Sequence, residues 1–148
     1  MLTQYENVVC NVEERGNQIN LWRYSPAKGF NQGITKRGIV YYERNVNKDE
    51  VGAFFSIEFV ASYENQEMHI ISINDEYISV ICDDVQYAKH QGFMEIEHGV
   101  WQGQLPLESV QKIVMLKHFE DGMTETTSLN TIVEFQEKWN KYVKEVSI

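Results

Sequence analysis

Histidine and carboxylate come closest together between positions 90 and 98. His90, Glu95, Glu97 and His98 lie within nine residues of one another. Imidazole and carboxylate are the donor set of zinc and non-haem iron. The spacing is not that of a helical HExxH motif, and a carboxylate at every second residue of a strand is also the pattern of a water-facing edge. Asp83-Asp84 is the second candidate, since paired carboxylates do acid–base work when burial splits their pKa values. Its neighbours Gln86, Lys89 and His90 are polar, which argues for exposure instead. Cys82 precedes the two acids, whose charge disfavours its thiolate as a nucleophile. No CxxC, no Ser–Gly elbow and no lysine-bearing phosphate loop occurs; Gly29-Phe30-Asn31-Gln32-Gly33 lacks the lysine and the preceding strand. The residues therefore predict no cofactor, no bound metal and no catalysis, with a small metal enzyme or ligand-binding domain built on His90–His98 as the alternative.

What the chain has in excess is negative charge. The formal net charge is −9, from 13 Lys and Arg against 22 Asp and Glu. Most of the excess falls in residues 75–125, where three basic side chains face ten acidic ones. A direct grip on a nucleic-acid backbone is disfavoured, because phosphate needs basic counter-charge. A concentrated acidic surface attracts a basic protein instead, although acidity also serves solubility alone. Asp75 and Glu76 sit in one polar break, Asp83 and Asp84 in another, and Glu95 and Glu97 follow. Tyr77, Tyr87 and Trp101 lie beside these acids in sequence, and aromatics are the usual anchors of protein interfaces. These nine residues form the candidate docking surface, provided that strand ends gather them along one edge of a sheet.

The elements that must do so are legible in part. Through Phe55, Ile57, Phe59, Ala61 and Tyr63, apolar side chains recur at every second position, the period of a half-buried strand. Glu64-Asn65-Gln66 and Asn74-Asp75-Glu76 break the chain, and two further β-branched runs end at Cys82. The pattern predicts an antiparallel meander over 54–82. Val8–Val12, Ile19–Trp22, Gly38–Arg44 and Phe93–His98 read as further strands. Breakers between Arg23 and Gly33 predict a loop whose aromatics, Trp22, Tyr24 and Phe30, pack on the core or offer a contact surface. Val85–His90 fits a helical turn or a loop. Pro106 opens a short helix near 106–114, or a helix running into a strand. Ser128 is the expected N-cap of a helix over about 129–146, with Leu129, Ile132, Phe135, Trp139, Tyr142, Val143 and Val146 on one face. The expectation is an α+β domain over 1–148, one antiparallel sheet of about five to seven strands with the last helix packed on it.

With 43% hydrophobic residues the chain can fill a core. No apolar run approaches the roughly 20 residues that span a bilayer, and no signal peptide is visible, so a cytoplasmic protein without membrane contact is expected. Cys10 and Cys82 lack any partner spacing and read as buried, reduced thiols.

The stretch Phe119 to Phe135, FEDGMTETTSLNTIVEF, resembles the end of small immunity proteins that neutralise bacterial polymorphic and contact-dependent growth-inhibition toxins. The shared features are a Gly-containing turn, a short Ser/Thr-rich strand and a Leu-x-x-Ile-x-x-Phe terminal helix. Small size, acidity and the α+β pattern are also similar. The resemblance implies a non-catalytic protein that occludes a toxin domain, commonly a nuclease with a basic cleft. An acidic face would then stand in for phosphate.

Overall fold

A computed structural model describes residues 1–147. It holds a mostly antiparallel sheet of twelve strands and two short α-helices, one of them near the carboxy terminus. The expectation of five to seven strands is corrected upward. The strands with sequences LTQY, NQGI and TETTSL, of four to six residues, make up much of the difference. They carry too few apolar positions for a period to show.

The chain divides into two compact units. The first takes Met1–Ser56, His118–Met123 and the chain from Gln136 onward. It contains β1 (Leu2–Tyr5), β2 (Val8–Arg15), β3 (Gln18–Arg23), β4 (Asn31–Ile34) and β5 (Val40–Asn47), in the spatial order β4-β5-β3-β2-β1. Tyr5, Cys10, Ile19, Leu21, Val46 and Phe54 form its core, with Phe30 packed against them. The loop at 23–33 thus turns an aromatic inward, and Phe30 meets Tyr5 edge-on at 6.2 Å. Arg23 is buried, and its Nη2 donates to Glu145 Oε2 at 2.7 Å.

The second unit takes Ile57–Lys117 and Thr124–Phe135. The expected meander is there: β6 (Phe55–Tyr63), β7 (Gln66–Ile73) and β8 (Tyr77–Cys82), antiparallel neighbours. β9 (Met94–Glu97) and β10 (Val100–Pro106) follow in the order β8-β10-β9, while β11 (Lys112–Phe119) pairs with β6 and with β12 (Thr124–Leu129). Phe59, Ala61, Met68, Ile70, Ile78, Val80 and Cys82 are buried, so the two-residue period turns one side of each strand inward. Glu64 and Asn65 join β6 to β7 with φ of 49° and 64°. A positive φ at both central residues is what a two-residue type I′ hairpin needs.

The two helix expectations hold in part, with different bounds. Near Pro106 the chain makes one 3-10 turn, Leu107–Ser109, and then enters β11. Buried Ile113 and Met115 alternate along β11, so the two-residue period prevails there. The last helix, α2, spans Ile132–Trp139 and runs into a wider π-wound turn at Asn140–Lys144. Leu129 closes β12 and is not helical. The cap is Thr131, whose hydroxyl accepts from Glu134 N at 3.0 Å, while Glu134 Oε2 accepts from Asn130 N at 2.9 Å. Ser128, the expected cap, is an exposed strand residue. The Thr131 and Glu134 side chains together satisfy two backbone donors, Glu134 N and Asn130 N, where a lone serine satisfies one.

Candidate functional site

All nine sequence-nominated residues belong to the second unit, and β8 decides how they group. Asp75, Glu76 and Tyr77 stand where the chain enters it. Asn74 builds that turn. Its Oδ1 accepts from Glu76 N at 2.9 Å and from Tyr77 N at 2.8 Å, and its own N–H donates to Tyr77 O. Antiparallel register sets Pro106 opposite Tyr77, and Leu107 N donates to Glu76 O at 2.8 Å. The result is an open depression of about 440 Å³ lined by Asp75, Glu76, Tyr77, Pro106, Glu108 and Ile132, with Leu107 buried beneath. Asn74→Ala is expected to cost about 1–2 kcal/mol, the loss of an Asx turn with two backbone donors. Urea denaturation beside the parent protein measures it.

Asp83, Asp84, Tyr87, Glu95, Glu97 and Trp101 lie at the other end of β8. Trp101 pairs with Cys82 on one side and with Glu95 on the other, and Glu97 faces Val100 across a register shift. Asp84 has a local task as N-cap of α1 (Val85–His90), its Oδ1 accepting from Tyr87 N at 3.0 Å. Gly92, at φ 75°, allows the chain to reverse so that Phe93 N reaches Ala88 O. Phe93 then lies against Gly103, where a Cβ would fall 2.1 Å from its ring, so only glycine fits.

The two half-buried aromatics are part of this packing. Tyr87 meets Phe93 edge-on at 6.3 Å, and Lys89 Nζ lies 5.9 Å above the Trp101 ring. Burial, with Glu64 and Tyr63 adding to it, pushes the Tyr87 hydroxyl up to about 12, so it stays protonated. Of the three nominated aromatics only Tyr77, 40% exposed, stands open to solvent.

The structure therefore gathers the nominated residues into two groups, not one. A six-residue strand separates them by roughly 20 Å at ~3.3 Å per residue. Glu108 and Ile132 join the first group although nothing local in the sequence nominated them; the Tyr77–Pro106 pairing brings in the former. All six nominated carboxylates are exposed.

His90 ends α1 and His98 sits in the turn between β9 and β10; both are exposed. Glu95 Oε2 accepts from Gly99 N at 3.4 Å. Among the described residues no group of three or more His, Cys, Asp or Glu is placed to hold a metal ion, so His90, Glu95, Glu97 and His98 are not assembled into a ligand set. Both cysteines are free and buried. Burial pushes the Cys10 thiol up to about 11 against the opposing pull of Arg23. Cys82 is raised too, by burial above all; the contact of its sulfur with Asp84 O opposes the rise, and the charges of Asp84 and Asp83 add to it. Among the described residues no helix is long and apolar enough to cross a membrane.

Neither the curated proteins nor the solved structures hold a match to the chain. A family model does match, over residues 3–121, and takes in every nominated acid and aromatic while ending ahead of β12 and α2. The chain belongs to the family described as "Uncharacterised conserved protein UCP033725".

Proposed function

We propose that the protein is a cytoplasmic, non-catalytic immunity protein that binds a basic toxin domain, a nuclease above all, and blocks it through the acidic surface of its second unit. The observation that carries the reading is the exposure of Asp75, Glu76, Asp83, Asp84, Glu95 and Glu97 in one unit of a strongly acidic chain. Such a surface speeds association with a basic cleft and repels nucleic acid from it. The resemblance of residues 119–135 to immunity proteins supports the same reading. Here β12 supplies the Ser/Thr-rich strand after the turn at Gly122, while the Leu-x-x-Ile-x-x-Phe spacing runs from the end of β12 into α2.

The test is protection. If a large secreted protein is encoded beside this chain, its carboxy-terminal domain is produced in bacteria with and without the chain. Growth restored only by the chain is expected; growth arrest in both cultures, or the absence of any such neighbour, overturns the reading. Asp83→Asn with Asp84→Asn then probes the surface, because asparagine keeps the α1 cap while removing its charge. Toxin affinity should fall about tenfold at low salt and become less salt-dependent. Unchanged affinity across salt concentrations would remove this end of β8 from the interface.

A further inference from the structure

The depression at the start of β8 combines two surfaces that are seldom left together in water. Asp75, Glu76 and Glu108 stand along it, all exposed. Among the described residues no ion pair involves any of the three. The same depression also has apolar lining. It is made of Pro106, the Tyr77 ring and Ile132, which is 43% exposed although it belongs to the apolar stripe of α2.

We propose that this groove receives a lysine or arginine side chain of a basic protein partner. The aliphatic stem lies against Tyr77, Pro106 and Ile132, and the cationic head sits among Asp75, Glu76 and Glu108. The inference rests on the reading that the partner is a basic protein, and it names the contact.

Charge selects the occupant. A second copy of this chain, at net charge −9, would bring acid to acid. A purely apolar segment would desolvate three carboxylates with nothing to pair them. Long cationic side chains satisfy both halves, since the stem covers apolar surface while the head keeps polar company, and the Tyr77 ring attracts a cation over its face. The groove is also held in shape beforehand. Asn74 fixes the backbone of Glu76 and Tyr77, and the Leu107–Glu76 hydrogen bond ties the opposite wall to β8, so little ordering is left for binding.

The probe is hexaarginine, titrated into the isotope-labelled full chain with hexaglutamate as control and followed by amide chemical shifts. Saturable shifts concentrated at residues 74–77, 107–108 and 132 are expected, with none from hexaglutamate. The triple variant Asp75→Asn, Glu76→Gln, Glu108→Gln should weaken binding about tenfold. Ile132→Ser, which leaves the charge untouched, should weaken it about threefold by removing the stem's contact. Shifts spread equally over Asp83–Asp84 and Glu95–Glu97, or full affinity in Ile132→Ser, would overturn the groove and leave a diffuse acidic cloud. The two readings fail separately. Protection from toxin with peptide shifts elsewhere removes the groove alone; peptide shifts in the groove without protection remove the immunity reading alone.

Discussion

Glu145→Ala is expected to destabilise the first unit by about 2–3 kcal/mol, because it strands a buried guanidinium. The Arg23 side chain is 3% exposed, and the Glu145 carboxylate is the counter-charge on it at 2.7 Å. Nη1 has the Pro26 carbonyl at 3.3 Å, and Nε has no hydrogen-bond partner among the described residues. Removing one partner of a fully buried pair costs roughly 3–5 kcal/mol. The figure is reduced here because the Glu145 side chain is 42% exposed and water reaches the vacated space. The backbone hydrogen bond from Tyr24 N to Glu145 O survives the substitution, so the loss isolates the charge. A double-mutant cycle identifies the mechanism. Arg23→Met relieves the stranded charge, so Arg23→Met with Glu145→Ala should be more stable than Glu145→Ala alone. Urea denaturation of the four proteins gives the coupling. If Glu145→Ala lies within 0.5 kcal/mol of the parent (roughly the scatter of an ordinary surface change), the pair contributes nothing.

The meander shows which parts of the fold local pattern can carry. Phe55, Phe59 and Ala61 alternate along β6 and are all buried, so a period visible in the sequence matches the face the sheet covers. β12 gave no such signal. Thr124, Glu125, Thr126, Thr127 and Ser128 are all exposed, leaving Leu129 as its single inward residue. The start of α2 was written in the chain as Thr131-x-x-Glu134, but Ser128 ahead of Leu129 offered a competing start. Hydrogen bonding decides between them: Thr131 accepts from Glu134 N, and the Glu134 carboxylate accepts from Asn130 N just ahead of the cap. At the candidate site, the acids were legible because charge survives any fold. Their partition follows from β8, a run visible in the sequence that holds Asp75-Glu76 and Asp83-Asp84 at opposite ends. The inclusion of Glu108 was not legible, because it follows from Tyr77 pairing with Pro106 across 29 positions of chain. Register of that kind is set by the whole hydrophobic pattern and the turns.

Phe135→Ala should be the most damaging single truncation in the second unit, at about 3–5 kcal/mol. Its ring is fully buried and meets Phe59 edge-on at 5.7 Å, a contact that adds to the area it hides. Against a total stability of about 5–15 kcal/mol such a loss leaves a substantial unfolded fraction. The consequence reaches the groove. α2 has only eight residues before the π-wound turn, and such a short helix is held by its packed face more than by propensity. Ile132 stands one turn before Phe135 and lines the depression with Tyr77. Loosening the ring should therefore blur the wall on which an inserted side chain rests. Phe135→Leu keeps most of the volume and should cost about 1–1.5 kcal/mol while leaving hexaarginine binding near the parent value. Val133→Ala is the control on the same helix, because Val133 is 61% exposed and its loss should stay within about 0.5 kcal/mol. Denaturation midpoints order the three variants, and amide shifts of Ile132 report the wall. If Phe135→Ala proved no worse than Val133→Ala, the helix would not be anchored through this ring, and Ile132 would owe its place in the groove to the Thr131 cap alone.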